Sequence, residues 1–184
     1  MNDNLIKAMT DKKRPTICKQ WAMPSSDTFS IKPISEFVRK YVSGEMVVVD
    51  PFAGKSSIGT ITNDLNQDLP TTYHMGALEF LQMMGDACAD AVLFDPPYSP
   101  RQASECYKRY GREYLTSEVT NWSYWRKCKD EVARITKMGG VVLHFGWNTN
   151  GCGKSRGFEQ IEILIVSHGG GHNDTLCLAE KKIG

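Results

Sequence analysis

The residues best suited to chemistry are Asp95-Pro96-Pro97-Tyr98, directly after the apolar run Ala91-Val92-Leu93-Phe94. Two consecutive prolines fix the backbone, so a carboxylate and the Pro96 carbonyl point to one spot while an aromatic ring flanks it. Two acceptors beside a flat ring suit a neutral amino group on a planar base: Asp95 and Pro96 each accept an N–H, and Tyr98 stacks. The alternative is a plain turn with an aspartate N-cap.

A second strand end carries Asp50-Pro51-Phe52-Ala53-Gly54, followed by Lys55-Ser56. Gly-Lys-Ser suggests a phosphate loop, which requires a glycine five positions before the Gly-Lys pair. That position is Val49, inside the apolar run. The phosphate reading fails on spacing, and the turn must serve a different small molecule.

Both ends need a sheet to hold them. The chain has 184 residues, 41% of them apolar, enough for one domain with a core and too few for two. Residues 1–30 read as polar and irregular, broken by Pro15 and Pro24. Ile31–Val42 reads as a helix with Pro33 in its first turn and Ile34, Phe37, Val38, Tyr41 and Val42 on one face. Glu45–Asp50 and Asp90–Asp95 read as strands buried on both faces, with a further strand in 59–65 and another segment around 71–84. Trp125, Cys128, Val132 and Ile135 recur at helical spacing; Gly139-Gly140 then stops the helix, and a strand starts at Val141. Residues 157–182 read as a hairpin across a glycine turn. The expectation is a single-domain, Rossmann-like α/β sheet over 1–184, mostly parallel, closed by a C-terminal antiparallel hairpin. Ligands in such sheets bind beyond the carboxyl ends of the strands, where Asp50 and Asp95 fall.

Asp50-Pro51-Phe52-Ala53-Gly54 followed by Asp95-Pro96-Pro97-Tyr98 resembles the amino methyltransferases that use S-adenosylmethionine, in particular small, phage-like N6-adenine DNA methyltransferases. The resemblance spans most of the chain, from Thr28-Phe29-Ser30-Ile31 to Gly139–Trp147. It implies that Asp95, Pro96, Pro97 and Tyr98 are catalytic. It implies a cofactor site of Phe29, Ile31, Asp50, Pro51, Phe52, Gly54, Asp64, Met75 and Ala77, with Asp50 for the ammonium group and Asp64 for the ribose. Two departures stand out. Asp64 follows Asp50 by 14 residues, short of the roughly 20 of a strand–helix–strand unit, so the helix between them must be abbreviated or missing. Gly76 precedes Ala77 where the family often has an acidic residue, leaving adenine recognition to backbone groups and apolar walls.

With 22 basic and 21 acidic residues, any basic surface must be local. Arg101, Lys108, Arg109 and Arg112 follow the catalytic tetrapeptide, and Trp147, Asn148, Lys154 and Arg156 lie in a glycine-rich loop. These are the candidate nucleic-acid contacts, with DNA favoured over RNA. Only 45 residues separate Asp50 from Asp95, and the rest of the chain is taken up by the sheet, leaving no room for a target-recognition domain. The site read should therefore be short or relaxed, or specificity should come from a partner, a homodimer mate included. The alternatives are N2-guanine methylation of ribosomal RNA, N4-cytosine methylation of DNA, and a silent binding module. C5-cytosine chemistry is disfavoured because none of the six cysteines follows a proline. The cysteines form no C-x-x-C, and His168 and His172 flank a glycine run that reads as a loop, so no metal is expected. Scattered single cysteines and the lack of a signal peptide or long apolar span suggest a reducing cytoplasm and no membrane.

Overall fold

A computed structural model describes residues 14–184. Seven strands form one sheet: β1 (Thr16–Trp21), β2 (Val48–Asp50), β3 (Ile61–Thr62), β4 (Ala89–Phe94), β5 (Thr136–Gly146), β6 (Phe158–Ser167) and β7 (Thr175–Lys182). Their order across the sheet is β1-β6-β7-β5-β4-β2-β3. Every pairing is parallel except those of β7, which runs antiparallel to both β5 and β6. The expected mixed sheet with a terminal hairpin is present, and the hairpin turn uses three successive glycines at positive φ, Gly169 to Gly171.

The helices are α1 (Lys32–Tyr41), α2 (Ala77–Met83), α3 (Pro100–Arg109), α4 (Thr116–Val119) and α5 (Trp122–Ile135). Successive strand residues alternate between two cores, as the pleat requires. Val49, Val92, Phe94 and Val142 pack with Phe80, Leu81, Tyr107, Val119, Tyr124, Cys128 and Val132 from α2 to α5. Val48, Ala91, Leu93 and Leu143 pack on the other face with Ile34, Phe37 and Val38 of α1. Val49 stands beside Val92, so Asp50 and Asp95 leave the sheet at the same edge.

Two sequence expectations are corrected. Residues 1–30 are not irregular throughout, because Thr16–Trp21 forms β1, parallel to β6 at the sheet's edge. All six of its residues are exposed; the backbone ladder rather than apolar burial makes the strand, so no hydrophobic pattern announces it. Gly139-Gly140 does not end a helix either. The helix stops at Ile135, where the Thr136 hydroxyl donates to the Val132 carbonyl at 2.6 Å, and β5 runs through both glycines. The register between β4 and β5 shifts here, and a Cβ on Gly140 would sit 2.9 Å from the Lys137 carbonyl oxygen. The pair therefore serves a bulge.

Candidate active site

The connection from β2 to β3 has no helix, as the short Asp50–Asp64 spacing requires. Residues 51–54 instead turn sharply, with Gly54 at φ 56°, in the left-handed region that suits glycine. The turn is tied to the end of β3. Gly54 N–H donates to Asp64 Oδ2 at 3.0 Å and Ala53 N–H to the Asn63 carbonyl at 2.9 Å, while Asp64 Oδ1 accepts the Asn66 N–H at 2.8 Å. Each Asp64 oxygen keeps a second lone pair for a ligand.

Asp50 is fully buried beneath this turn. Its Oδ1 accepts the Phe52 N–H at 3.1 Å, whereas Oδ2 has no hydrogen-bond partner among the described residues. Burial pushes its pKa up to about 8 against the Phe52 hydrogen bond, and the nearby Asp95 and Asp64 charges add to the rise. A carboxylate oxygen left bare in the interior is costly unless a cation or donor meets it.

Pro51, Phe52, Asp64, Met75, Ala77 and Pro97 line one cleft together with Asn63, Leu65, Cys106 and Tyr107. Asn63 is the residue that sequence reasoning missed. Buried, it donates to the Pro51 and Met75 carbonyls and accepts the Met75 N–H, all at 3.0 Å, and so clamps the two opposite walls. Asp50 and Gly54 border the cleft in sequence without lining it, and Phe29 and Ile31 do not line it either. Both are buried in the core on the α1 face, Phe29 edge-on to Phe145 at 5.1 Å.

Pro97 also lines a second cavity, of about 130 Å³, with Phe94, Pro96, Tyr98, Trp122, Trp125, Lys129, His144, Phe145, Trp147, Asn148 and Asn150 among its walls. The two hollows thus flank one residue of the catalytic candidate. Tyr98 donates its hydroxyl to Asp95 Oδ1 at 2.7 Å, and its ring lies edge-on to Trp147 at 5.8 Å. Desolvation raises the Asp95 pKa to about 6, tempered by hydrogen bonds from Tyr98 and Thr28. The Tyr98 phenol is shifted upward by burial and by the Asp95 charge, so it stays protonated and remains a donor. The tetrapeptide is held from behind, because Tyr98 N–H donates to Gln102 Oε1 at 2.8 Å and Ser99 caps α3.

The nucleic-acid candidates divide. Trp147 and Asn148 are exposed and line the second cavity, and Lys108, Arg109 and Lys154 are exposed. Arg101, also exposed, pairs with Glu105 at 2.8 Å. Arg112 reaches the His74 carbonyl at 3.4 Å. Arg156 pairs with Asp130 at 2.7 Å and donates to the Cys152 carbonyl at 3.0 Å, bracing the glycine-rich loop against α5. Trp122, Trp125 and Lys129, on α5, line the second cavity, a placement the helical spacing of Trp125 in the sequence does not disclose. His168 is buried between the Ala22 carbonyl and the Thr175 hydroxyl, each at 2.9 Å, a structural link. Among the described residues, no helix is long and apolar enough to cross a membrane.

No protein-family model matches the chain, and no curated protein resembles it in sequence. Solved structures resemble it in fold. The 1,6-didemethyltoxoflavin-N1-methyltransferase of Burkholderia thailandensis, with bound 1,6-didemethyltoxoflavin and S-adenosylhomocysteine, superposes with TM-score 0.55 at 10% identity, over 99% of this chain and 84% of that one. A SAM-dependent methyltransferase of Methanosarcina mazei gives 0.53 at 11%, over 80% and 97%. The N-methyltransferase NodS of Bradyrhizobium japonicum gives 0.53 at 10%, over 82% and 94%. At such identities the likeness carries the architecture alone, and the chain has the Rossmann-like fold of the methyltransferases.

Proposed function

We propose that this protein transfers a methyl group from S-adenosylmethionine to the exocyclic N6 amine of adenine in DNA. The observation that carries the reading is the paired arrangement at one sheet edge: a cleft lined by Pro51, Phe52 and Asp64, an aromatic-walled cavity lined by Pro96 and Tyr98 on either side of Pro97, and Pro97 common to both. The cofactor suits the residues present. The bare, buried Oδ2 of Asp50 complements an ammonium group, Asp64 has lone pairs for ribose hydroxyls, and Met75 and Ala77 offer an apolar wall to adenine. When bound, S-adenosylmethionine supplies an electrophilic methyl on a sulfonium.

The chain's own residues do the rest. The amine lone pair of adenine is delocalised into the ring, so the nitrogen is a weak nucleophile. Asp95 and the Pro96 carbonyl accept its two N–H groups and favour sp³ geometry, freeing the lone pair; preorganised acceptors and in-line placement lower the barrier. As the carbon–nitrogen bond forms, the carbon–sulfur bond breaks to a neutral thioether and the amine sheds one proton. Asp95, with its pKa near 6 and its Tyr98 hydrogen bond, is the nearest group to take it. The cavity walls, Trp122, Trp125, Trp147 and Tyr98, offer stacking faces to a base drawn out of a duplex, which offset an extrusion cost of a few kcal/mol. Exposed Lys108, Arg109 and Lys154 form no ion pair among the described residues and suit phosphates.

The test is methyl transfer with labelled cofactor to DNA and RNA, followed by digestion to nucleosides. Label in N6-methyl-2′-deoxyadenosine from DNA is expected, at many sequence contexts or a very short motif. Label in N2-methylguanosine from RNA or N4-methyl-2′-deoxycytidine from DNA would replace the reading with one of its rivals.

A further inference from the structure

Beneath the cavity beside Asp95, three donors of different chemistry converge from distant parts of the chain: His144 on β5, Cys152 in the loop after it, and Glu180 on β7. A ring nitrogen, a sulfur and a carboxylate oxygen lie within 4.8 Å of one another. The residues are buried, with exposures of 6%, 2% and 0%. We propose that His144, Cys152 and Glu180 form a site for a divalent transition-metal ion, Zn²⁺ by the character of its donors.

The groups face one another in the interior. His144 Nε2 lies 3.0 Å from Glu180 Oε2, and it has no other polar partner among the described residues. A buried nitrogen and a buried carboxylate oxygen this close, with a sulfur beside them, have the arrangement of ligands aimed at one point. Glu180 is oriented by the backbone of the loop after β5: its Oε2 accepts the Cys152 N–H at 2.6 Å and its Oε1 the Gly153 N–H at 3.1 Å. Such outer bonds fix the direction of a ligating carboxylate and leave lone pairs for the metal. Gly151 is required by the same packing, since a Cβ there would fall on the Glu180 carboxylate.

Charge agrees with the donor set. A thiolate and a carboxylate neutralise a doubly charged ion, with imidazole neutral, so the filled site carries no net charge in a buried setting. Two cations stand near the cluster, Lys129 donating to the Asn150 carbonyl and Arg156 pairing with Asp130 and donating to the Cys152 carbonyl. Burial holds the free Cys152 thiol protonated and the free His144 ring neutral, so metal uptake would release a proton from sulfur. Mixed nitrogen, sulfur and oxygen donors select zinc over magnesium or calcium. The consequence is mechanical: the ion ties the loop after β5 to β7 and so sets Trp147, Asn148 and Asn150 in the wall of the cavity. This inference does not depend on the methyl-transfer reading.

The full-length protein, stripped with chelator and titrated with Co²⁺, should bind one ion per chain with a thiolate-to-cobalt charge-transfer band in the near ultraviolet, and Zn²⁺ should bleach that band. Cys152→Ser should abolish the band, and His144→Gln should weaken binding by more than about 10-fold, the least that losing even an outer partner costs. Should Cys152→Ser fail to fold, the wild type still decides. A wild-type protein with no cobalt–thiolate band and no Zn²⁺-dependent rise in Tm overturns the proposal, as does a folded Cys152→Ser protein that keeps the band.

Discussion

The Asp50→Asn substitution probes how the cleft would hold a cationic ligand, and its effect can be worked from the structure. Asp50 is fully buried, one of its oxygens has no partner, and its pKa stands near 8. In the free protein the carboxyl is therefore mostly protonated below pH 8, and an ammonium group can pair with it only after that proton leaves. Cofactor affinity should accordingly rise with pH. At pH 5.5 only about one molecule in 300 carries the carboxylate, and at pH 7.5 about one in four, so affinity for S-adenosylhomocysteine should climb about 50- to 100-fold, roughly 2.3 to 2.7 kcal/mol. Titration calorimetry in two buffers of different ionisation enthalpy at pH 6.5 should show close to one proton released per ligand bound. Asp50→Asn keeps the shape and removes the titration, so its affinity should stay within about threefold over that range while lying well below the wild type at pH 7.5. The same shift has a stability counterpart. The unfolded carboxyl ionises near its ordinary value and the folded one only near 8, so the free protein loses stability as pH rises between those two points, and ligand restores it. A wild-type affinity that ignores pH from 5.5 to 7.5, or an Asp50→Asn protein that binds as the wild type does, would refute the assignment of Asp50 to the ligand's cation.

Four further outcomes are expected. Asp95→Ala should cost about 10²-fold or more in methyl transfer, read under single-turnover conditions, with S-adenosylhomocysteine affinity nearly unchanged. Transfer by the wild type should rise with pH through about 6 as Asp95 ionises, and Tyr98→Phe, which removes the 2.7 Å hydrogen bond that favours the carboxylate, should move that midpoint up by about 1 to 2 units while keeping much of the rate above it; an unmoved midpoint would mean the hydroxyl is idle. Asp64→Ala should weaken cofactor binding more than DNA binding, and should also lower Tm because the Gly54 and Asn66 N–H groups lose their acceptor; equal losses in the two affinities would misplace the ribose contact. Replacing Lys108 or Arg109 with Ala should weaken DNA binding and reduce the slope of log affinity against log salt by about 0.9 each, whereas Arg156→Ala should act mainly on stability, since that side chain holds Asp130 and the Cys152 carbonyl.

Much of this site is readable along the chain because covalent succession alone positions it. An apolar run that ends in Asp50 or Asp95, followed at once by proline, must place a carboxylate at the tip of a buried strand, and two such runs in parallel must place both tips at one edge. The missing helix between Asp50 and Asp64 follows from chain length in the same way. What surrounds those carboxylates does not follow from succession. Whether Asp50 has a free oxygen, whether Tyr98 stacks or also donates to Asp95, and which of the basic residues are already paired depend on contacts between segments remote in sequence. Edge strand β1 escaped notice because a ladder hydrogen bond needs no particular side chain, and Phe29 and Ile31 were drawn from the cleft into the core by the apolar surface of Leu143 and Phe145. The grouping of His144, Cys152 and Glu180 arises only because β7 inserts between β5 and β6, which sets His144 against Leu178 and brings the Glu180 carboxylate under the loop after β5. No spacing rule relates those three positions, since strand order rather than sequence separation decides which side chains meet.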